Sequence, residues 1–468
     1  MLPVVTVREM RAADAAAPEP EAVLVRRAGT AAAHAALDLM GGAYGRRVVV
    51  VAGKGNNGAD GRVAAAVLRR RGAKVAVVGP AATLPRCDLV IDAALGTGLR
   101  GPYDAPGVPA GARVLAVDIP SGVDGDTGAA PGRPMRATRT VTFAALKPGL
   151  LQGDGPPLAG DVHLADIGIA AEPCRAHLVE DADVARLVPA RTEPTHKWAT
   201  AVAVVAGSPG MEGAAVLAST GAARAGSGMV RLGVPGGGSG PWPVEAVRLQ
   251  LGTRDWADAV LAVLDRCRTL VVGPGLGRDE ATQAEVRRLV ARAPVPVVVD
   301  ADALFALGGA EQARSVVAGP RPVVVTPHDG EYARLLGEPP GPDRLAAARR
   351  LAETLGVVAL LKGSLTAVAA PTGEVLLSAA GSPRLATAGT GDVLSGVIGA
   401  FLARGTAAFE AAAVAAHVHG RASADGPPEG LLAPDLPLLV AGVLSRALGA
   451  AGVVGHGSAA TGPGSTDG

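Results

Sequence analysis

The feature that most constrains this chain is an alternation of short valine-rich segments with helix-like segments. In the first third of the chain, near-continuous apolar runs are separated by glycine-rich loops and by helical patterns. Apolar strands separated by helices are typical of a parallel sheet with both faces covered. We therefore predict an α/β fold. Its first strands are expected at Arg46–Ala52, Lys74–Val78, Asp88–Asp92, Arg113–Asp118 and Thr140–Phe143.

The same alternation starts again in the second half of the chain. Between the halves, residues 172–194 contain Pro, Asp and Glu without periodicity, which favours a boundary there. We therefore expect a first domain over residues 1–180, a second over residues 181–455 and a disordered tail over residues 456–468. The later strands are expected at Ala201–Ala206, Thr269–Val272, Val295–Val299, Pro322–Thr326 and Val357–Leu361, and helices at Arg344–Leu355, Asp392–Ala403, Ala407–Ala424 and Leu438–Leu448.

The composition excludes several classes of protein. The net charge is +1 over 468 residues, so the strongly basic face of a nucleic-acid-binding protein is not expected. No apolar run approaches the ~18 residues of a membrane-spanning helix, and the N-terminus carries charges where a signal peptide has an apolar core. Cys87, Cys174 and Cys267 lie far apart, which indicates neither a disulfide framework nor a zinc site. We expect a cytoplasmic protein.

Lysine and asparagine are scarce in this sequence. Of 44 basic residues only five are lysine, and the only two asparagines, Asn56 and Asn57, are adjacent. A GC-rich genome accounts for the background. Since lysine and arginine are not interchangeable at a tight site, the remaining lysines are candidates for specific roles. Four of them, Lys54, Lys147, Lys197 and Lys362, lie in motif-like segments.

A glycine-rich loop, GKGNNGADG, follows the first strand at positions 53–61 and opens a helix. It contains G-x-G-x-x-G, but the dinucleotide fingerprint also needs an acidic residue about 20 positions on, and the second strand ends in Val-Gly-Pro. No Gly-Lys-Ser/Thr closes the loop, so it is not a Walker loop. Two Asn and one Asp at a helix N-terminus favour a polar ligand or a cation, and a plain strand-to-helix turn remains the alternative.

Polar residues also stand at the ends of later strands. Asp92 and Asp118 each end a strand, and Ser121 follows in the segment DIPSG. The carboxyl ends of parallel strands share one edge, where ligands bind. Asn57, Asp92 and Ser121 are therefore candidates to converge on one cation through oxygen ligands. For any one of these residues alone, a helix cap is the competing interpretation.

The segments GKGNNGADG, DAALGTGL and DIPSG resemble the N-terminal domain of the bifunctional NAD(P)H-hydrate repair enzymes, which is an NAD(P)H-hydrate epimerase. The resemblance implies a Rossmann-like three-layer domain and a potassium ion bound by Asn57, Asp92 and Ser121. Asp118 is our candidate acid/base. The sequence departs at Ala59, where the family usually has Gly. The hydrate contacts that the resemblance implies are Asn56, Asn57, Gly58, Ala59, Asp60, Gly96, Thr97, Gly98, Leu99, Arg100, Gly101, Pro102 and Asp118.

In the second half, the strongest signal is the segment AGTGD at positions 388–392, which opens an apolar helix. Small residues let backbone N–H groups approach a phosphate, and the helix dipole favours the anion. Asp392 is then placed to act as a general base towards a hydroxyl group in line with a phosphoryl group. Upstream, Lys362–Thr366 offers a cation and hydroxyls for a nucleotide phosphate. An ordinary Asp in a first helical turn is the alternative.

The second half contains, in this order, the segments GPGLG, DADAL, TPHDGE, LKGSLT and ATAGTGDVLSG. Their arrangement resembles that of the ribokinase-like fold. More closely, they resemble the ADP-dependent NAD(P)H-hydrate dehydratase domain of the same family. The nucleotide contacts that the resemblance implies are Lys362, Gly363, Ser364, Leu365, Thr366 and Gly391. The implied hydrate contacts are Ala214, Gly275, Gly277, His328 and Asp392.

The resemblance implies one repair activity divided between two domains. The first domain would interconvert the R and S hydrates of NADH and NADPH, and the second would use ADP to dehydrate the S hydrate to NAD(P)H, AMP and phosphate. The expected ligands are NADHX, NADPHX and ADP, with K⁺ in the first domain and Mg²⁺ in the second. A homo-oligomer is expected. Binding to nucleic acid or to a membrane is not expected.

Two alternatives remain open. One is a ribokinase-like small-molecule (vitamin) kinase fused to a Rossmann-like ligand-binding domain. The other is a first domain that only binds ligand and has a dead catalytic edge. The presence of Asn57, Asp92, Asp118 and Ser121 together argues against the second alternative.

Overall fold

The computed structural model describes residues 1–98, 101–171, 173–190, 196–238 and 240–455, without the side chains of residues 450–455. These residues form two compact units. The first unit holds residues 2–178 together with residues 341–344, and the second holds the other described residues. The expected tail, residues 456–468, lies outside the described residues.

The first unit alternates strands and helices along the chain. Its elements are β1 (Leu2–Pro3), α1 (Val7–Ala16), α2 (Glu21–Met40), β2 (Arg47–Ala52), α3 (Asn56–Arg70), β3 (Lys74–Val78), β4 (Leu89–Ala93), β5 (Arg113–Val117), β6 (Arg139–Phe143), α4 (Gly155–Ala159), β7 (Asp161–Ala165) and β8 (Ala176–Leu178). Six of these strands form a parallel sheet in the order β3-β2-β4-β5-β6-β7, and β1 pairs antiparallel with β8.

The two faces of this sheet are covered differently. Val48 and Val50 of β2 point into a core that also contains alanines and leucines of α2 and α3. The alternate residues, Val49 and Val51, point into a smaller core, to which loop residues such as Leu84 contribute. Because successive side chains of a strand point to opposite faces, a strand buried on both faces must be apolar throughout. This explains the continuous valine run.

The second unit repeats the pattern with a larger sheet. Its elements are α5 (Asp181–Leu187), β9 (Ala201–Val205), α6 (Glu212–Arg224), β10 (Met229–Val234), β11 (Ala246–Gln250), α7 (Trp256–Leu261), β12 (Thr269–Val272), α8 (Glu280–Arg292), β13 (Val297–Val299), α9 (Asp302–Leu307), α10 (Ala310–Val317), β14 (Val323–Val325), α11 (Asp329–Leu336), α12 (Arg344–Leu355), β15 (Val358–Leu361), β16 (Thr366–Ala369), β17 (Val375–Ser378), α13 (Thr390–Ala403), α14 (Ala408–Asp425) and α15 (Leu436–Gly455).

The strands of the second unit lie in the order β17-β16-β15-β14-β13-β12-β9-β10-β11. All neighbours are parallel except the pairs β15–β16 and β16–β17. Helix α13 is buried along nearly its whole length and packs against α6 and the central strands. Its N-terminus is thereby brought to the edge where the central strands end.

The α/β fold predicted from the valine-rich segments is confirmed, with several differences in detail. Helix α3 begins at Asn56, within the glycine-rich segment 53–61 and not after it, so the asparagines lie in its first turn. The sequence analysis did not predict α1, α2, β10 or β11. In the part of the chain that the structure describes, no helix is both long enough and apolar enough to cross a membrane.

Candidate functional sites

The first unit contains a cavity of about 1080 Å³ at the carboxyl ends of its central strands. Of the predicted hydrate contacts, the cavity is lined by Asn56, Asn57, Asp60, Gly96, Thr97, Gly98 and Asp118. Gly58, Ala59, Gly101 and Pro102 are not among its lining residues. Leu99 and Arg100 lie outside the described residues. The cavity therefore brings together the central part of the predicted site.

The glycine-rich loop reaches the cavity because its backbone packs very closely. A Cβ atom on Gly58 would lie 2.1 Å from the Gly53 carbonyl oxygen, a distance that no side chain tolerates. Glycine at this position therefore lets α3 start directly behind β2. Ala59, in the same turn, is absent from the residues with positive φ, so the methyl group that replaces the family's usual hydrogen causes no backbone strain.

Asp118 stands directly after β5 in an unusual backbone conformation, with φ of 67°. Residues other than Gly rarely adopt this left-handed region, and where they do, the surrounding structure must hold them. Its carboxylate oxygen Oδ1 accepts hydrogen bonds from Lys147 Nζ at 2.5 Å and from Thr142 Oγ1 at 3.1 Å. The backbone and both partners thus fix the carboxylate at the cavity wall.

Lys147 is the buried half of this ion pair. Its side chain is 1% exposed, and its ammonium group also donates to Thr142 Oγ1 and the Phe143 carbonyl oxygen, each at 3.0 Å. Asp118 retains 17% exposure, and within the described residues its Oδ2 atom accepts no hydrogen bond. That oxygen is available to a ligand. The sequence analysis noted Lys147 in a motif-like segment but assigned it no role.

A second carboxyl group faces the same cavity. Asp60 is only 6% exposed, and among the described residues its buried Oδ1 atom has no hydrogen-bond partner. Burial, together with the charges of Asp118 and Asp14, raises the pKa of Asp60 to about 8. Asp14 of α1 also lines the cavity, and burial raises its pKa although Lys147 opposes the shift. The sequence analysis did not identify Asp14, because α1 was not predicted.

Of the predicted potassium ligands, Asn57 lines the cavity, and Asp92 and Ser121 are buried beside it. Asp92 is fully buried, and its carboxylate accepts bonds from Ser121 Oγ at 2.6 Å and Ser121 N at 2.9 Å. Asn57 Nδ2 donates to the Leu95 carbonyl oxygen at 2.7 Å, and Ser121 Oγ lies 3.1 Å from the same oxygen. No described basic side chain pairs with Asp92, so burial raises its pKa. Oxygen donors around an unpaired buried carboxylate fit a monovalent cation.

The second unit has a comparable ion pair at the end of β13. Asp300 is 1% exposed, and its two oxygens accept bonds from Lys362 Nζ at 2.7 Å and Ser395 Oγ at 2.5 Å. Burial alone would raise the pKa of Asp300, but these groups outweigh burial and lower it. Burial opposes the charge of Lys362, yet Asp300 and Glu331 raise its pKa overall. Both groups are therefore held in their charged forms.

The N-terminus of α13 lies next to the Asp300–Lys362 ion pair. Gly389 caps the helix in the left-handed conformation, with φ of 90°. The Lys362 ammonium lies 3.6 Å from the position that a Cβ on Gly391 would take, so it stands over the first turn. Burial and the charge of Asp300 raise the pKa of Asp392 to about 7. Free amides, a helix dipole and an ammonium together favour a phosphate group.

The other predicted contacts of the second unit are distributed along the same edge. A Cβ on Gly275 would lie 2.8 Å from the Cβ of Ala214, so the two residues adjoin. Gly277 N donates to Asp302 Oδ2 at 3.0 Å. Of the Lys362–Thr366 loop, Leu365 has a fully buried side chain, so only its backbone can reach a nucleotide.

His328 has a structural task that the sequence did not indicate. It caps α11, and its Nδ1 atom accepts from Gly330 N at 3.0 Å and Glu331 N at 3.3 Å. The ring remains exposed and borders a cavity of about 210 Å³. The guanidinium groups of Arg278 and Arg334 contact the ring of Phe305 in the same place, at 4.7 Å and 3.3 Å from its centroid.

His419 of α14 is a further buried polar residue near the start of α13, which the sequence analysis missed. Burial lowers its pKa to about 4, although its hydrogen bond with the Thr390 backbone opposes the shift. The ring is therefore neutral near neutral pH. Its Nε2 atom has no partner within the described residues. His419 lies on a helical face that is buried among alanines. Nothing in that segment of the sequence indicates its contact with Thr390.

The described residues hold no cluster of three or more His, Cys, Asp or Glu side chains that could bind a metal ion. Among the described residues, Cys87, Cys174 and Cys267 form no disulfide bond. The candidate potassium site is not of this kind, because most of its donors are hydroxyl, amide and carbonyl oxygens.

Two family models match the chain. One, described as NAD(P)H-hydrate dehydratase, matches residues 202–440. The other, described as YjeF-related protein N-terminus, matches residues 21–86 and 78–149. A solved structure of a hypothetical protein from Streptococcus mutans is 21% identical with a TM-score of 0.50 and covers 58% of this chain and 100% of that one. That likeness supports the fold of the second unit alone.

The comparison with curated relatives extends over most of the chain. A bifunctional NAD(P)H-hydrate repair enzyme from Mycobacterium leprae is 40% identical over 452 residues, which cover 86% of this chain and 89% of the relative. An enzyme of the same description from Salinibacter ruber is 36% identical over 537 residues, which cover 96% of this chain and 97% of the relative.

The fold and the two sites define an α/β protein with a Rossmann-like first domain and a ribokinase-like second domain, as the sequence predicted. Within that class, the chain belongs to the family of bifunctional NAD(P)H-hydrate repair enzymes.

Proposed function

We propose that this protein repairs hydrated NADH and NADPH with two active sites. The first domain, residues 1–180, interconverts the R and S hydrates. The second, residues 181–455, uses ADP to dehydrate the S hydrate to NAD(P)H, AMP and phosphate. The observation that carries the proposal is the group at the start of α13, where Asp392 lies beside Lys362 at a helix N-terminus. Family membership supports it.

Dehydration needs a better leaving group than hydroxide. Transfer of a phosphoryl group from ADP to the hydrate hydroxyl supplies one and releases AMP. Asp392 removes the hydroxyl proton as the oxygen attacks phosphorus, and a pKa of about 7 suits a base that works near neutral pH. Lys362 and the amides of Gly391 and its neighbours offset the charge on the moving phosphoryl group. Loss of phosphate, with a proton from the adjacent carbon, restores the double bond.

The nucleotide is assigned to the loop from Lys362 to Thr366 and to Gly391. Mg²⁺ would accompany its phosphates and offset their charge. The carboxylates beside the site fit no all-protein magnesium cage, since Asp300 is held by Lys362 and Ser395, and Asp302 by Arg278 and Gly277 N. We therefore assign Mg²⁺ to the nucleotide phosphates and water, as is usual for this ion.

Epimerisation is assigned to the cavity of the first unit. Asp118, fixed by Lys147 and Thr142, is the proposed acid/base, and Asn56, Asn57, Asp60 and the Gly96–Gly98 segment are the proposed hydrate contacts. K⁺ would be held by Asn57, Asp92 and Ser121, where it would neutralise the buried Asp92 and brace the loops above it. The proposal includes cytoplasmic action and a homo-oligomer, which a solution mass measurement tests.

The test is incubation of the protein with hydrated NADPH and ADP, followed by the absorbance of the restored reduced nicotinamide. We expect recovery of NADPH with one AMP and one phosphate per turnover. Phosphorylation of an alcohol by ATP without elimination would instead favour the kinase alternative. Complete repair of a mixture of R and S hydrates requires both sites, whereas repair of the S form alone requires only the second.

A further inference from the structure

We propose that Asp60 is the acid that donates a proton to the hydroxyl group of the bound hydrate during epimerisation. The inference rests on the proposed epimerase function of the first unit. It assigns chemistry to a residue that the glycine-rich loop motif marks only as a contact.

The geometry of Asp60 is that of an uncharged acid. The residue lies in the first turns of α3, lines the 1080 Å³ cavity and is 6% exposed. Its Oδ1 atom is buried and bonds to no described group. A buried carboxylate without partners is strongly disfavoured, whereas a neutral carboxyl group costs far less to bury. The carboxyl group of Asp60 therefore keeps its proton, and the fold does not use that proton in a structural hydrogen bond.

Asp118 has the opposite environment in the same cavity. Lys147 and Thr142 both bond its Oδ1 atom, so this carboxyl group is paired with a buried ammonium group, whereas the Oδ1 atom of Asp60 has no described partner. Two carboxyl groups in such different surroundings can divide the roles of acid and base between them. The further charged side chains that line the cavity are Arg11, Asp14, Glu19, Glu21, Lys54, Arg62 and Lys147.

The hydrate chemistry needs such an acid. Water adds to the double bond of a reduced nicotinamide at the carbon next to the ring nitrogen, so the hydroxyl group sits on that carbon. When Asp60 transfers its proton to the hydroxyl oxygen, the carbon–oxygen bond breaks and water leaves with the bond pair. The nitrogen lone pair forms a carbon–nitrogen double bond. The ring carbon becomes planar and its configuration is lost.

The steps balance without any oxidant, reductant or co-reactant. Asp118 and the newly formed Asp60 carboxylate offset the positive charge of the planar ring. Water then adds to the opposite face, and the proton that it releases returns to the pair of carboxyl groups. The product is the other epimer, and both enzyme and substrate regain their proton count.

The first test replaces Asp60 by Asn in the full-length chain. Without ADP, conversion of R hydrate to S hydrate is followed by chromatography. We expect the turnover number for Asp60→Asn to fall by about 10²–10⁴-fold with little change in KM, as for loss of a general acid. Dehydration of pure S hydrate by the same preparation should be unchanged, which shows that the chain is folded. Glu21→Gln, which removes an exposed carboxylate from the same cavity, should epimerise normally.

A second test uses the wild-type protein in water enriched in heavy oxygen. Each inversion should introduce one solvent oxygen into the hydrate hydroxyl, because water leaves and returns. Inversion that keeps the original oxygen would overturn the proposal. A rise in KM alone for Asp60→Asn would also overturn it, in favour of a binding role. If the wild type fails to interconvert the epimers, the proposed function itself fails, and the two failures are thus distinguished.

Discussion

Each unit holds a lysine–aspartate ion pair at the carboxyl edge of its parallel sheet, but the two pairs are buried in opposite senses. In the first unit Lys147 is 1% exposed and Asp118 is 17% exposed. In the second unit Asp300 is 1% exposed and Lys362 is 21% exposed. The cavity of the first unit is therefore lined by a carboxylate, and an ammonium group lies at the start of α13.

The difference shows how one pair of residue types serves two kinds of chemistry. A carboxylate beside an uncharged acid suits proton transfer to the hydroxyl oxygen of an alcohol. An ammonium group above a helix N-terminus suits a phosphate, because both favour negative charge. In each unit a further carboxyl group lies near the pair, and burial raises its pKa, to about 8 for Asp60 and about 7 for Asp392.

The largest expected effect separates the two sites completely. Asp392→Asn should lower the dehydration turnover number by about 10³-fold, because it removes the base that accepts the hydroxyl proton. Conversion of R hydrate to S hydrate should be nearly unaffected. Both rates are measured on one preparation, by absorbance and by chromatography. Loss of both activities would contradict the assignment of separate sites.

The next effect concerns stability and tests the opposite burial of the pairs. Lys362→Met should cost about 3–5 kcal/mol of unfolding free energy, since it leaves Asp300 without its cation in the interior. Lys147→Met should cost less, about 1–3 kcal/mol, because water can still reach Asp118. In urea titrations, tryptophan fluorescence follows the second unit, which contains Trp198, Trp242 and Trp256, and hydrogen exchange follows the first. Equal losses of unfolding free energy in the two variants would mean that the difference in burial does not affect stability.

The pH dependence should have opposite signs at the two sites. Asp392 accepts a proton only as the carboxylate, so kcat/KM for dehydration should rise as the pH passes about 7. Asp60 donates only as the acid, so epimerisation should fall as the pH passes about 8. Both profiles are recorded with the wild type in the same buffers. If both rates rose with pH, or both fell, the expected difference between the two sites would be contradicted.

The smallest expected effect concerns the hydroxyl group that supports each aspartate. Ser395→Ala should cost about 2 kcal/mol, because it removes a 2.5 Å hydrogen bond to a fully buried carboxylate. Thr142→Val removes a 3.1 Å bond to the more exposed Asp118 and should cost about 1 kcal/mol. The midpoints of thermal unfolding compare the two variants. A larger loss for Thr142→Val would reverse the order that burial predicts.

Much of the fold was predictable because it depends on local patterns. The strand Thr269–Val272 matches the observed bounds, since a strand buried on both faces requires a continuous apolar run. The strand Lys74–Val78 matches as well, although it lies at the edge of its sheet and none of its residues is buried. The edge strand β11 was missed because only one of its five residues is buried and its pattern is mixed. Helix α2 was missed because it is rich in alanine, which gives a weak contrast between its faces.

The site was predictable only where a motif carries it. Asn57, Asp60, Asp118 and Asp392 all stand in glycine-rich strand-end segments. Lys147 and Ser395 also stand in motif-like segments, but the sequence did not indicate their partners, because these lie 29 and 95 positions away along the chain. Such distant pairs are formed by the packing of the sheet and leave no mark in a local segment.

The sequence by itself determined the alternation of strands and helices, the chemical groups at each strand end and the few positions kept as lysine. The tertiary structure alone decided which member of each lysine–aspartate pair enters the core and which faces the ligand. It also decided that Asp60 and Asp392 have raised pKa values. The reason is physical: the free energy of a charge depends on burial and on the distances to other charges, and neither quantity exists before the chain is folded.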